Sequence, residues 1–574
     1  MADLGLLPDR TAEAQPQTGP AGWAAGALKC LLLFLSVVSV VTYIVVACLR
    51  MGYPYELEWI EGGMVDHIRW ILSGRGLYVE PSLAFVPNYY GPLYLYLGAG
   101  LCKIMGVGFL PLRLISFVSS LGCFWMIASL VRRETGGWTW AIVSAGLFAA
   151  SYRVTGAWMD IARIDSLFLF LALAAVCLVR FRRDTPGLIA AGLLMGLSFL
   201  TKQSALCIAA PLVVYALLAN KGWSRLAFAA TFVGLVAVTT VLFDACTDGW
   251  YSRYIFGLPN QHRYIKMVWV TFWWQDIGKN LAVAATMTIF AAALGARIRP
   301  RRDLLFYGML LAGMIGTSWL SRLHEGGYDN VLMPAAAALA IGFALGASRL
   351  LSAFQAASAA GPVSAGDAPA IHRTLLGALC LAGIWQFILL AYVPGQQVPS
   401  KADRRAGDAM VKTLAKLDGD VLMPEHGFLH TLAGRNTFHA HAGALWAVVQ
   451  GTDKELTDAL LGGFRRAIQT RQYDVLVLDE LRGGKPDFVR ELAEKHGLRA
   501  DQVKGPGFLE LFRRDIEDNY QCIGSLFRRD DVFWPVTGVP IRPGQVYVRK
   551  DKAAGLSLPG FPAARVSGES APGK

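Results

Sequence analysis

Long apolar runs, most of them closed by arginine or lysine, alternate with shorter polar stretches as far as residue 394. Residues 30–49 (CLLLFLSVVSVVTYIVVACL) carry no charge at all. At about 1.5 Å of rise per residue, a helix of that length crosses the ~30 Å hydrocarbon core of a bilayer. Comparable runs occupy 109–131, 137–151, 166–179, 186–200, 203–219, 226–245, 278–296, 303–320, 331–348 and 374–394. The pattern predicts a polytopic α-helical membrane protein of about 11 transmembrane helices. The first run is full length and begins near residue 30, which predicts an uncleaved first span in place of a signal peptide.

The basic residues set the orientation. Arg132 with Arg133, Arg180 with Arg182 and Arg183, Lys221 with Arg225, Arg297 to Arg302, and Arg349 with Arg373 fall in alternate connections. Cytoplasmic loops carry the excess of Lys and Arg. Residues 1–29 are therefore expected in the cytoplasm, ahead of a membrane domain over 30–396. Its outer loops are expected at 50–108, 152–165, 246–277 and 321–330. In the first of them, Met64, Val65, Ile68, Ile71 and Leu72 recur at helical spacing opposite Asp66, His67 and Arg69, predicting an amphipathic helix in the membrane plane. Residues 92–109 are apolar but hold Pro92, Gly98, Gly100 and Lys103, and a crossing there would send Arg132 and Arg133 outside. They are read as lying in or re-entering the interface. Trp269, Trp273, Trp274, Tyr251, Tyr254 and Tyr264 suit an aromatic belt.

Beyond residue 396 the pattern changes. Asp420–Met423 and Tyr473–Asp479 read as buried strands, and 402–418, 453–471 and 486–497 as helices. The alternation predicts a C-terminal extracytoplasmic α/β domain over 397–552. A Gly-, Pro-, Ala- and Ser-rich tail over 553–574 reads as disordered.

Composition agrees with the membrane reading: 54% of residues are hydrophobic and only 17% charged. The net charge of +12 would suit nucleic-acid binding, but the basic residues sit at the ends of apolar runs and no nucleic-acid motif is present. Membrane lipids are the expected partner. The nine cysteines form no CxxC and most lie in apolar runs, so no disulfide framework is implied.

Candidate chemistry gathers on the outer side. Glu56, Glu58 and Glu61 crowd the first loop, where mutual repulsion raises a pKa and suits a general base; a solvated acidic loop is the competing reading. Asp160, Arg163 and Asp165 precede the fourth span, where Asp165 can serve as a base or as a helix N-cap. Lys202, beside Gln203, has the alternatives of snorkelling or meeting a lipid phosphate. Arg322, His324, Tyr328 and Asp329 lie between the ninth and tenth spans, and His262 in the aromatic loop. Glu425, His426, His430, His439 and His441 offer zinc ligands, though without an HExxH spacing.

At these residues the chain resembles membrane glycosyltransferases of the GT-C superfamily, whose members include protein O-mannosyltransferases and lipid A aminoarabinose transferases. The resemblance rests on the order of Glu58-Trp59, Ser73 to Tyr78, Pro87 to Tyr94, Arg113-Leu114, Asp165, Lys202 and Tyr328 to Pro334. It implies a polyprenyl-phosphate-linked sugar donor and inverting transfer to an extracytoplasmic glycan, lipid or protein, by an enzyme of the cytoplasmic (inner) membrane. Carried over residue by residue, it implies Glu58 and Asp165 as catalytic. Lys202, Arg163 and Arg322 would meet the donor phosphate. Glu56, Glu61, Tyr89, Tyr90, Gln203, His262, His324, Tyr328 and Asp329 would line the substrates. Many relatives carry Asp-Glu where this chain has Glu56-Leu57-Glu58, so the matching acid stays open among Glu56, Glu58 and Glu61. The metal-binding glutamate of some relatives is missing near Tyr89, so a divalent metal ion also stays open. A lipid or sugar transporter and a non-catalytic envelope-assembly scaffold are the alternatives. The lack of an internal repeat and the scarcity of charge inside the spans count against transport.

Overall fold

The structure is a computed structural model that describes residues 20–262, 264–298, 301–324, 326–360, 367–482, 508–554 and 558. The first part is helical: α1 (Pro20–Met51), α2 (Glu61–Leu72), α3 (Pro92–Met105), α4 (Phe109–Thr135), α5 (Trp138–Ala150), α6 (Asp165–Phe181), α7 (Thr185–Phe199), α8 (Ala205–Ala219), α9 (Ser224–Thr247), α10 (Lys279–Ile298), α11 (Arg301–Leu323), α12 (Met333–Ala359) and α13 (Ala368–Leu389). Among the described residues, six helices are long and apolar enough to cross a membrane: α1, α4, α9, α11, α13 and α12 with the turn before it. The chain is an integral membrane protein. Each of the other runs read as spans coincides with a shorter helix.

The helix α12 and its leading turn form the hub: 94% of their most apolar window is buried, against 17% for α9 at the periphery. The sequence Pro334-Ala-Ala-Ala-Ala-Leu-Ala makes this possible, because small side chains let helices approach closely where lipid offers no hydrophobic driving force. Gly342 shows how closely: a Cβ there would sit 2.2 Å from Thr288 on α10.

The helix α2 departs from the expected surface-lying form. Asp66 and His67, on its polar face, are buried along with the apolar face. The reason is a second cover. The C-terminal segment lies over it, with the His441 ring against Gly63, Gly427 against Asp66, and Phe438 edge-on to Trp70 at 5.2 Å. Residues 92–109 form α3 and a Gly106–Gly108 break, packed on α2 and α4.

After α13 come α14 (Lys401–Ala415), α15 (Ala442–Val449), α16 (Lys454–Gln469) and α17 (Phe508–Asn519) around a four-stranded sheet. Ser400 and Asp403 close a capping box at the start of α14. The strands are β1 (Val421–Leu422), β2 (Val475–Leu481), β3 (Tyr520–Ser525) and β4 (Ile541–Arg549), ordered β1-β2-β4-β3. β1 runs parallel to β2; β4 is antiparallel to both β2 and β3. The pairing of β2 with β4 shifts register between Leu478 and Asp479. The helix expected at 486–497 and nearly all of the expected tail lie outside the described residues.

Candidate active site

The loop between α1 and α2 is shaped by one arginine. Arg113, the fifth residue of α4, is fully buried and donates to the carbonyls of Tyr53 and Tyr55, each at 2.6 Å. Its Nε and Nη2 grip Glu61 at 3.0 and 2.6 Å. The Glu61 carboxylate also accepts from Leu57 N at 2.7 Å and from Ala162 N at 2.6 Å, tying the first loop to the α5–α6 loop. Burial pushes the Glu61 pKa up, but Arg113 and the two N–H groups outweigh it and hold it below the ordinary value. Glu61, expected to line the substrates, is instead consumed by the fold: each oxygen already has two donors.

Glu58 emerges on the other side of this loop. Its Oε2 accepts from Arg163 Nη1 at 3.1 Å, and Arg163 Nη2 donates to the Tyr90 hydroxyl at 2.9 Å. Trp158 stacks its ring 5.1 Å from the same guanidinium. Burial raises the Glu58 pKa to about 7, with Arg163 opposing.

Two residues beyond Arg163, Asp165 opens α6. Its Oδ1 accepts from Lys202 Nζ at 2.7 Å and from Asn330 Nδ2 at 3.0 Å, while its Oδ2 is buried without a partner. Lys202 sits in the α7–α8 turn, which the first loop approaches backbone to backbone. Leu93 N donates to Leu200 O at 2.9 Å, and a Cβ on Gly91 would fall 2.1 Å from that same oxygen. Only glycine permits this contact, and it seats Gln203 Nε2 on the Tyr89 carbonyl at 2.9 Å. A small cavity opens here, lined by Asp165, Lys202, Ser204, Ser321, Asn330 and Pro334 among others.

The sequence-expected clusters thus come together around two neighbouring ion pairs, Glu58–Arg163 and Asp165–Lys202. Several members do something else. Arg322, expected at the donor phosphate, is locked by Asp276 at 3.1 and 3.0 Å, by Asp329 at 2.9 Å and by the Gly327 carbonyl at 2.8 Å. With Asp329 it braces the α11–α12 loop. His324 packs its ring on Tyr264 at 4.6 Å, and His262 meets the Ala447 carbonyl at 3.1 Å and the Tyr89 ring edge-on. Tyr328 lies against Trp158 at 5.1 Å. Glu325, beside His324, lies outside the described residues.

The histidines of the C-terminal segment are dispersed. His426 bridges Glu56, through Nδ1, and Asp479, 3.1 Å from Nε2. Burial raises Glu56 to about 7 and Glu425 to about 8, while Asp479 and Glu56 overcome burial to hold the His426 pKa well above its ordinary value. His430 meets the Thr437 carbonyl at 2.9 Å, His439 faces Asp420 at 3.5 Å, and His441 stacks on Trp59 at 5.5 Å. The expected zinc set is therefore not assembled, and Glu56 binds His426 where a substrate contact was expected. Among the described residues, no group of three or more His, Cys, Asp or Glu side chains is arranged to hold a metal ion.

Sequence reasoning gave no role to Asn330, which lies in the Tyr328 to Pro334 segment, to Asp479 or to the Thr537–Gly538 turn. Asp479 ends an apolar strand and Asn330 follows an aspartate, but neither position announces a partner more than 50 residues away.

Residues 87–244, from the first loop to α9, match the family model for dolichyl-phosphate-mannose-protein mannosyltransferase. The fold is similar to that of ArnT from Cupriavidus metallidurans in the apo state, with a TM-score of 0.52 and 17% identity over 82% of this chain and 95% of that one. It is similar also to the same protein bound to undecaprenyl phosphate, with a TM-score of 0.50 and 14% identity over 83% and 95%. No curated protein matches the chain by sequence. The chain resembles GT-C superfamily membrane glycosyltransferases, in sequence over 87–244 and in fold over most of its length.

Proposed function

We propose that the protein is a membrane glycosyltransferase that moves a sugar from a polyprenyl-phosphate-linked donor to an acceptor hydroxyl, with inversion. The observation that carries this reading is the pair of adjacent ion pairs, Glu58–Arg163 and Asp165–Lys202, the second lining a cavity. Inversion needs a base on one face of the sugar and charge neutralisation on the other. Glu58 serves as the base: burial poises it near neutrality, where proton transfer by a positioned side chain is worth ~10²–10⁴-fold. A phosphate leaves without an acid because it is already a weak base, so it needs only cations. Lys202 supplies that charge, in a site that is largely dry, while Arg163 stays with Glu58. Asp165 and Asn330 aim the Lys202 ammonium at the cavity; in this reading Asp165 positions Lys202, and Glu58 takes the proton.

The lipid part of the donor accounts for an enzyme embedded in the membrane, and undecaprenyl phosphate bound to ArnT supports that donor class. In this reading the chain crosses the inner membrane eleven times, and residues 397–552 form an extracytoplasmic α/β domain over the site that receives the acceptor. The test is transfer by the purified protein from a panel of labelled polyprenyl-phosphate sugars into a cell-envelope extract. Labelled product from one donor class is expected; no product from any donor would overturn the reading.

A further inference from the structure

The long connection between β3 and β4 leaves the sheet and reaches the candidate base. Thr537 donates its N–H to the Leu57 carbonyl at 3.3 Å and its hydroxyl to the Gly156 carbonyl. The Gly538 N–H donates to the Tyr328 hydroxyl at 3.3 Å. The turn therefore touches the first loop, the α5–α6 loop and the α11–α12 loop at once.

Gly538 adopts φ +80°, where side chains are disfavoured, and a Cβ there would lie 2.7 Å from Glu58 Cγ and 3.2 Å from Glu58 Oε1. Arg163 holds Oε2, so the glycine backbone faces the carboxylate oxygen that Arg163 leaves. Glu58 is 1% exposed. A hydroxyl that gives up its proton must come within about 2.6–3.2 Å of the base. The Thr537–Gly538 turn closes over that space.

We propose that the Thr537–Gly538 turn determines acceptor selectivity: it shields Glu58 from water until the acceptor displaces it, so that the sugar passes to the acceptor and not to water. The proposal rests on the reading of Glu58 as base in a glycosyltransferase. In both outcomes the bonds balance in the same way. The nucleophile's O–H proton goes to Glu58, its lone pair bonds to the anomeric carbon, and the bond from that carbon to the phosphate oxygen breaks with its electrons. Polyprenyl phosphate leaves, together with glycosylated acceptor in one case and free sugar in the other. Water is smaller than any acceptor, so shape alone cannot reject it; physical exclusion is the available means. Two of the three hydrogen bonds that seat the turn are 3.3 Å long, which suits a cover that must lift.

The experiment uses the full-length protein in detergent with labelled polyprenyl-phosphate sugars, with and without envelope extract, scoring free sugar against transferred sugar. Gly538→Ala brings a methyl group to 2.7 Å from Glu58 Cγ, so the turn and the Glu58 side chain must part. Thr537→Val removes the hydroxyl bond at constant shape and stands in should Gly538→Ala fail to fold. Both variants are expected to raise the ratio of free to transferred sugar by roughly tenfold, a change worth about 1.4 kcal/mol in relative barrier. An unchanged ratio in a variant that still transfers overturns the proposal alone. No transfer by the wild type from any donor overturns the glycosyltransferase reading beneath it.

Discussion

Glu58 and Arg163 stand 105 residues apart in the chain and meet as a buried ion pair, Oε2 to Nη1 at 3.1 Å. The pair exists because Arg113 and Glu61 pin the first loop to the α5–α6 loop beside it, through Tyr55 O and Ala162 N. The same bracing keeps a carboxylate that burial has pushed to about 7 within reach of a cation.

That poise sets a pH dependence. A base works only when deprotonated, and the raised pKa leaves Glu58 increasingly protonated below about pH 7. The value of kcat/KM should rise about tenfold per unit on the acid side and level off above neutrality. Glu58→Gln, which keeps the hydrogen bond to Arg163, should lower the rate by ~10²–10⁴-fold with donor binding retained. A profile flat from acid to neutral pH would assign the base elsewhere.

Lys202→Ala should cost roughly 10²–10³-fold, the usual loss when one preorganised donor to a developing anion is removed. Lys202→Arg should recover part of it, since charge is restored without the ammonium geometry. Asp165→Asn, which keeps the contact to Asn330 but frees the lysine, should act mainly on donor KM. Initial rates across donor concentration separate these outcomes, and equal activity of Lys202→Ala and wild type would contradict the assignment.

Glu61 and Glu58 are three residues apart and should respond to different degrees. Arg113 and Glu61 are both fully buried, and removing one partner of such a pair commonly costs about 3–5 kcal/mol. Glu61→Gln and Arg113→Ala should lower the melting temperature in detergent by clearly more than Glu58→Gln, because Glu61 loses four donors and Glu58 one. The reverse pattern would make Glu58 the brace and Glu61 the functional acid.

Gly91 gives a steric test of how the site is assembled. A methyl group there meets the Leu200 carbonyl, so Gly91→Ala must part the first loop from the Lys202 turn. Donor KM should rise. Gly100→Ala is the control on the neighbouring helix, because nothing lies within 4 Å of its Cβ position. Equal effects of the two substitutions would show that the close approach plays no part.

The helices were legible because lipid imposes a simple rule: an apolar run must form a helix to satisfy its backbone. The convergence of Glu58, Arg163, Asp165 and Lys202 was legible for a related reason, since alternate connections fall on one face. What stayed hidden depends on docking. The Asp66 and His67 face of α2 looks solvated in the sequence and is buried by a segment more than 350 residues later. Arg322 and Lys202 are both expected at the donor phosphate, and only the fold encloses Arg322 between Asp276 and Asp329 while seating Lys202, paired with Asp165, at a cavity. The strand β4 escaped notice because Pro543 and Gly544 interrupt its alternation, although Val546 and Val548 are buried as expected of a strand.

The central claim is that Glu58 drives release of a polyprenyl phosphate as a sugar is transferred. The most direct measurement is the rate of that release from labelled polyprenyl-phosphate sugars, with envelope extract present, for wild type, Glu58→Gln and Glu61→Gln. The account predicts release by the wild type from one donor class, at least ~10²-fold slower release by Glu58→Gln, and release by whatever Glu61→Gln remains folded. Equal release by wild type and Glu58→Gln would contradict it, as would movement of intact donor across a vesicle membrane with no release at all.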